Sequence, residues 1–151
     1  MATLHINNKS HYKGFIDLNE SWIKEHFSLE AGDIELAKNP DSVVKKGGFI
    51  LSLFDDGRVI GVCAIFNQAH EGYELARLAV DERYRNKGYG DWLIKETLDV
   101  LKQNEIKKVN LMSNTKLKAA ISLYKKNGFK TVFEGKHPVY TRCNIVMERD
   151  I

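Results

Sequence analysis

Arg85-Asn86-Lys87-Gly88-Tyr89-Gly90 is the stretch on which the reading of this chain turns. A β-rich apolar run, Tyr73 to Val80, ends just before it, and an amphipathic helix, Tyr89 to Asn104, starts inside it. A strand, a basic glycine loop and a helix N-terminus in succession can hold phosphate. The helix end presents unpaired N–H groups and a partial positive charge. Gly88 and Gly90 have no Cβ, so a phosphate can approach the backbone closely. Arg85 and Lys87 add cationic donors. Two other phosphate loops are excluded by spacing. The P-loop needs Gly, four residues, then Gly-Lys-Ser/Thr, and nothing here fits. The dinucleotide fingerprint needs a third glycine where this chain has Leu93. The plainer reading is a turn that only joins strand to helix.

A second stretch bears on that choice. Val109 to Asn114 reads as a strand and Lys118 to Asn127 as a helix, which Gly128-Phe129 ends. Arg-x-x-Gly-x-Gly after a strand resembles the acetyl-CoA pyrophosphate loop of the GNAT family of N-acetyltransferases. Asn114, Ala119-Ala120 and Leu123-Tyr124-Lys125-Lys126-Asn127-Gly128-Phe129 resemble that family's second signature. The two signatures stand in the family's order and at its usual separation, and together cover Tyr73 to Phe129.

The chain has 151 residues and a net charge of +3, so one domain over residues 1–151 with a full core is expected. The lysine pairs 45–46, 107–108 and 125–126 are scattered among acids, which argues against a nucleic-acid stripe. No apolar run approaches membrane-spanning length and no signal peptide is evident, so neither nucleic acid nor membrane is an expected partner. Cys63 and Cys143 form no CxxC pair and read as reduced, buried strand residues of a cytoplasmic protein. No metal is expected. A homodimer is left open.

Thr3 to Asn7 reads as a strand. His11 to Phe27 reads as a helix with Phe15, Leu18 and Trp22 in one stripe, widened by Ile16, Ile23 and Phe27. A short helix, Gly32 to Lys38, follows. Gly48 to Phe54, Asp55-Asp56-Gly57 and Arg58 to Phe66 form a hairpin pattern. Tyr73 to Val80 is the fourth strand. The central helix points Leu93, Ile94, Leu98 and Leu101 inward. Lys108 to Ser113, the Tyr124 helix, Lys130 to Glu134 and a last strand, Arg142 to Glu148, complete the order β-α-α-β-β-β-α-β-α-β-β. The fold class is α/β (mixed α+β), a sheet flanked by helices. The GNAT resemblance implies a mostly antiparallel sheet that splays between its fourth and fifth strands, with acyl-CoA in the gap.

The resemblance also implies roles. In GNAT proteins a backbone N–H of the fourth strand binds the thioester carbonyl, and one two residues later binds the pantetheine arm. Here those positions are Leu78 and Val80. The residues expected to hold acetyl-CoA, the co-substrate, are Leu78, Ala79, Val80, Arg85, Asn86, Lys87, Gly88, Tyr89, Gly90, Asp91, Asn114 and Tyr124. Tyr124 is the expected proton donor to the departing thiolate, though by periodicity alone it is a core aromatic. Glu74 is the expected general base; it shares a strand face with Leu78 by period-two alternation, or it is an exposed acid beside Gly72. A water chain and His70 stand as alternatives. Glu82 replaces a common proline and Asn86 a common glycine, which leaves the CoA affinity open. For the amine acceptor, Glu20, Glu25, Glu30, Asp33 and Glu35 suit a cationic amine, whereas Arg77, Tyr140 and Arg142 suit a carboxylate. The function expected is direct transfer of an acetyl group from acetyl-CoA to an amine in a ternary complex. The alternative is an acyl-CoA-binding sensor or partner-binding module with little catalysis.

Overall fold

Asp56 and Gly57 both take left-handed backbone angles, φ +50° and +75°. Their turn therefore twists as the flanking strands do and closes a tight hairpin. Its arms are β2 (Phe49–Asp55) and β3 (Arg58–Asn67). They sit inside a sheet of seven strands in the order β1-β2-β3-β4-β5-β7-β6. The other strands are β1 (Thr3–Ile6), β4 (Tyr73–Val80), β5 (Lys108–Ser113), β6 (Lys130–Glu134) and β7 (Ile145–Asp150). Every pairing is antiparallel except β4 with β5. The computed structural model describes residues 1–138 and 140–151. Among them no helix is long and apolar enough to cross a membrane.

Alternation along the strands builds a core on each face. Ile50, Val62 and Ala64 meet Tyr12, Phe15 and Ile16 of helix α1 (Tyr12–His26) on one face. Leu51, Leu53, Cys63 and Ile65 meet Leu93, Ile94 and Leu101 of α4 (Tyr89–Gln103) and Tyr124 of α5 (Lys118–Lys126) on the other. Helix α2 (Ala31–Lys38) and the single-turn α3 (Ser42–Lys45) lie on the α1 face. Helix α3, like the 3-10 turns at Lys9–His11, Ala69–Glu71 and Glu82–Tyr84, is too short to show a period and is absent from the sequence reading. Two expectations need correction. The buried stripe of α1 runs through Tyr12, Phe15, Ile16, Asn19 and Ile23, while Leu18 and Trp22 are half-buried. The last strand starts at Ile145, not Arg142, and Cys143 is a half-buried free thiol outside it.

Arg142 stands before the sheet strand and pairs with acids of the α2 region. The carboxylate of Asp33 on α2 is buried and accepts from both terminal nitrogens of Arg142, at 2.6 and 2.7 Å, and from Arg77 of β4. The Glu30 backbone N–H adds a bond of 2.8 Å to Oδ2. Burial pushes the Asp33 carboxyl up, but Arg142, the Glu30 N–H and Arg77 outweigh it and hold its pKa at about 2. The stabilisation is therefore present above the ordinary carboxylate range and is lost as pH falls through about 2. Removing the anion leaves the nearly buried Arg77 without its ion pair and Arg142 with Glu30 alone. Asp33→Ala should cost roughly 3–5 kcal/mol in urea unfolding at neutral pH, as removal of one partner from a buried ion pair does. A loss below ~1 kcal/mol would show that the cluster is not holding α2 to the sheet.

Candidate functional site

The sheet divides within β4. Only Tyr73 and Glu74 pair with β5, opposite Val109 and Asn110. Beyond them the strands part, and a cavity of about 550 Å³ opens, lined by every β4 residue from Glu74 to Val80. On its other edge β4 still pairs with β3, and Asp81 N–H donates to the Ile60 carbonyl at 2.7 Å. Amide direction alternates along a strand, so with the Asp81 N–H turned to β3 the Val80 N–H points away from it, toward the gap.

A bulge decides which way the β4 side chains point. Ala76 lies opposite Ala64 and Ala79 opposite Val62, so Arg77 and Leu78 together face Cys63 alone. Arg77 takes φ +60°, unusual for a residue with a side chain. The extra residue shifts the alternation. Glu74 precedes the bulge and points to the α1 face with Ala76, whereas Leu78 and Val80 follow it and pack against the α4 core. Glu74 and Leu78 therefore do not share a face, contrary to the period-two expectation. Both still line the cavity, which passes through the sheet.

Glu74 is 5% exposed, and its Oε1 accepts from Gln68 Nε2 at 2.7 Å. It is not the exposed strand-end acid of the alternative reading. Burial raises its pKa to about 7, against the opposing pull of the Arg77 charge and the Gln68 bond. His70 is exposed on the 69–71 turn and lies outside the cavity lining.

Tyr124 lines the cavity on the opposite face, with its ring edge-on to Phe129 at 5.9 Å. Burial pushes its phenol well above the ordinary value, and Cys63 adds to the shift, so it stays protonated. Beside it runs the 85–90 loop. Asn86 at φ +61° and Gly88 at φ +86° take the left-handed backbone the loop requires, and Gly88 caps α4. A Cβ on Gly88 would meet nothing within 4 Å, so open space lies over its backbone. Gly90 differs: its Cβ would come 3.3 Å from Leu123 Cδ2, so the missing side chain lets α4 and α5 pack closely. Arg85 lines the cavity, but Glu25 of α1 grips both of its terminal nitrogens, at 2.9 and 3.1 Å. Lys87 is exposed over the Tyr84 ring and is not part of the lining, and neither is the exposed Glu82. Tyr89 and Asp91 line the loop end, and Asn127 and Lys95 bond the Asp91 carboxylate. Asn114 also lines the cavity, but its amide is committed to Arg142 and Lys116 backbone, each at 2.9 Å.

None of Glu20, Glu25, Glu30, Asp33 and Glu35 lines the cavity. Arg77, Tyr140 and Arg142 do line it, yet the arginines are already matched by Asp33 and Glu30. The sequence reading missed Asn19, Phe66 and Gln68, which line the cavity, the last two beside Glu74. Asn19 left one signal, an amide four residues from both Phe15 and Ile23 in an apolar stripe.

A family model for the acetyltransferase (GNAT) family matches residues 10–129. "Probable N-acetyltransferase 14" of Xenopus tropicalis is 32% identical over 81 residues, which are 53% of this chain; the chain spans 39% of that relative's length. An acetyltransferase of the GNAT family from Staphylococcus aureus MU50 superposes with a TM-score of 0.87 at 20% identity, over 99% of each chain. A GNAT superfamily phosphinothricin acetyltransferase from Sinorhizobium meliloti, in complex with AcCoA, superposes with a TM-score of 0.81 at 15% identity, over 99% of this chain and 88% of its own. These structures share the fold.

The Glu74 shift has a sign that stability can check. A buried carboxyl whose folded pKa exceeds its unfolded value favours folding while protonated and opposes it once ionised. Its penalty therefore grows as pH rises from the ordinary carboxylate range through about 7. Glu74→Gln keeps the shape and a partner for Gln68. It should stabilise the protein at about pH 8 by on the order of 2–3 kcal/mol and change little at about pH 5. Equal effects at both pH values in denaturant unfolding would show that Glu74 is not desolvated.

Proposed function

The chain belongs to the GNAT acetyltransferase family, and we propose that it is an N-acetyltransferase that passes an acetyl group from acetyl-CoA directly to an amine. The observation that carries this reading is Glu74, a buried carboxyl with pKa about 7 where the sheet divides. Its cavity also reaches Tyr124 and a phosphate-type loop.

The cavity fits such a co-substrate. Gly88, with open space over its backbone, and the start of α4 would hold the pyrophosphate. Val80 N–H would hold the pantetheine arm. Acetyl-CoA supplies the acetyl group as a thioester. Glu74 takes the proton that the attacking amine must lose, a task suited to a base poised near the working pH. Leu78 N–H donates to the carbonyl oxygen as negative charge develops there. Tyr124 O–H donates to the sulfur as it leaves. Its raised pKa makes full proton transfer uphill, so its part is a hydrogen bond that strengthens with the charge on sulfur. Direct attack is favoured over an acyl-enzyme because neither cysteine is a thiolate at neutral pH. Burial pushes Cys63 up to about 12 and Cys143 up to about 11.

Calorimetry with acetyl-CoA and a thiol-release assay over an amine panel test the reading together. Gly88→Val, strained at positive φ, should weaken acetyl-CoA binding by ~10-fold or more. Tyr124→Phe should retain acetyl-CoA affinity while turnover falls ~100-fold. Turnover per KM should rise with pH through an apparent pKa of about 7, and that limb should vanish in Glu74→Gln. Tight binding with no amine acetylated would make the protein an acyl-CoA sensor; no binding would remove both readings.

A further inference from the structure

Asn19 sits in the middle of the buried stripe of α1 and is 3% exposed. Its carboxamide makes no side-chain hydrogen bond among the described residues, although it lines the cavity. Its amide atoms are not sealed in the core, since among the described residues only Arg58 Nε and Thr97 Oγ1 are fully buried without a partner, so the amide is presented to the cavity. Phe15 and Ile23 flank it one helical turn away on either side, so an aliphatic residue would pack there at lower cost. An unpaired amide on a cavity wall has the chemistry of a group awaiting a ligand.

The face of the sheet says which ligand. Helix α1 packs on the face to which Glu74 points, whereas Tyr124 lies on the other. Asn19 therefore stands on the side from which the amine must reach Glu74. The charges on that wall narrow the chemistry. Arg142 spends both terminal nitrogens on Asp33, and Arg77 bonds Asp33 and the Tyr140 hydroxyl. A carboxylate would find these cations taken and would lie near the Asp33 and Glu74 acids. An amide, in contrast, can both accept from and donate to the Asn19 carboxamide. Trp22, Phe66 and Tyr140 offer apolar surface for the rest of the molecule.

We infer that Asn19 binds the acceptor, and that the acceptor carries an uncharged amide-type group beside its amine rather than a carboxylate. This rests on the N-acetyltransferase reading. The test uses the full chain, acetyl-CoA, and two acceptors that differ only in this group, L-phenylalaninamide and L-phenylalanine. The amide should be acetylated with turnover per KM at least ~10-fold above that of the free acid. Asn19→Ala should raise KM for the amide about tenfold, the loss of roughly one hydrogen bond. Its acetyl-CoA affinity should stay parental and its melting temperature should not fall, because no internal bond is lost. Asn19→Leu, which fills the same space, should do likewise. Equal or better use of the free acid, acetylation of neither acceptor, an unchanged KM in both variants, or unfolding of both would overturn the inference. Failure of the parent to bind acetyl-CoA would instead strike the underlying reading.

Discussion

Strand β4 keeps a partner on its β5 side for only two residues, and the rest of the molecule is arranged around that loss. A strand edge inside a domain is costly unless its backbone groups meet a partner. Here the edge opens into a cavity that crosses the sheet, so its N–H groups are available to a ligand. The bulge at Arg77 turns the chain so that Glu74 and Leu78 line that cavity from opposite faces. In the proposed reaction an acceptor and a thioester would meet in the gap from two sides. A regular, fully paired β4 would bury both residues and leave neither group free.

Charge holds the two halves of the split sheet together on the α1 face. Asp33 draws Arg77 from β4 and Arg142 from the segment before β7 onto one buried carboxylate. The same contacts commit Arg77 to Asp33, and burial of Glu74 outweighs the pull of that charge and of the Gln68 bond. A cavity walled by free arginines would hold Glu74 ionised and weak as a base.

Helix α1 also spans the mouth of the gap. Glu25 grips Arg85 of the loop before α4. One residue on, the His26 carbonyl accepts from Lys116 Nζ at 3.4 Å, and that ammonium lies 4.1 Å over the Phe27 ring. The end of one helix thus touches the connections on both sides of the split. A phosphate arriving at Arg85 meets a cation whose charge a carboxylate already satisfies.

Much of this was legible in residue order. Strand and helix periods, the Asp56-Gly57 turn and the two signatures around Gly88 and Tyr124 specify the elements and their sequence, because each depends on neighbours a few residues away. The left-handed Asn86 and the burial of Leu93, Ile94 and Leu101 belong to the same local physics. The bulge at Arg77 did not show, because it arises from pairing with Cys63 on another strand, and alternation alone predicts the wrong face for Leu78. The charged partners of Arg85, Arg142 and Asp33 lie 44 to 112 positions apart in the chain, so their charges read as free until the fold brought them together. Asn19 read as one polar residue on an amphipathic helix. Its place on the cavity wall is a property of packed surfaces, which no local pattern of residue types contains.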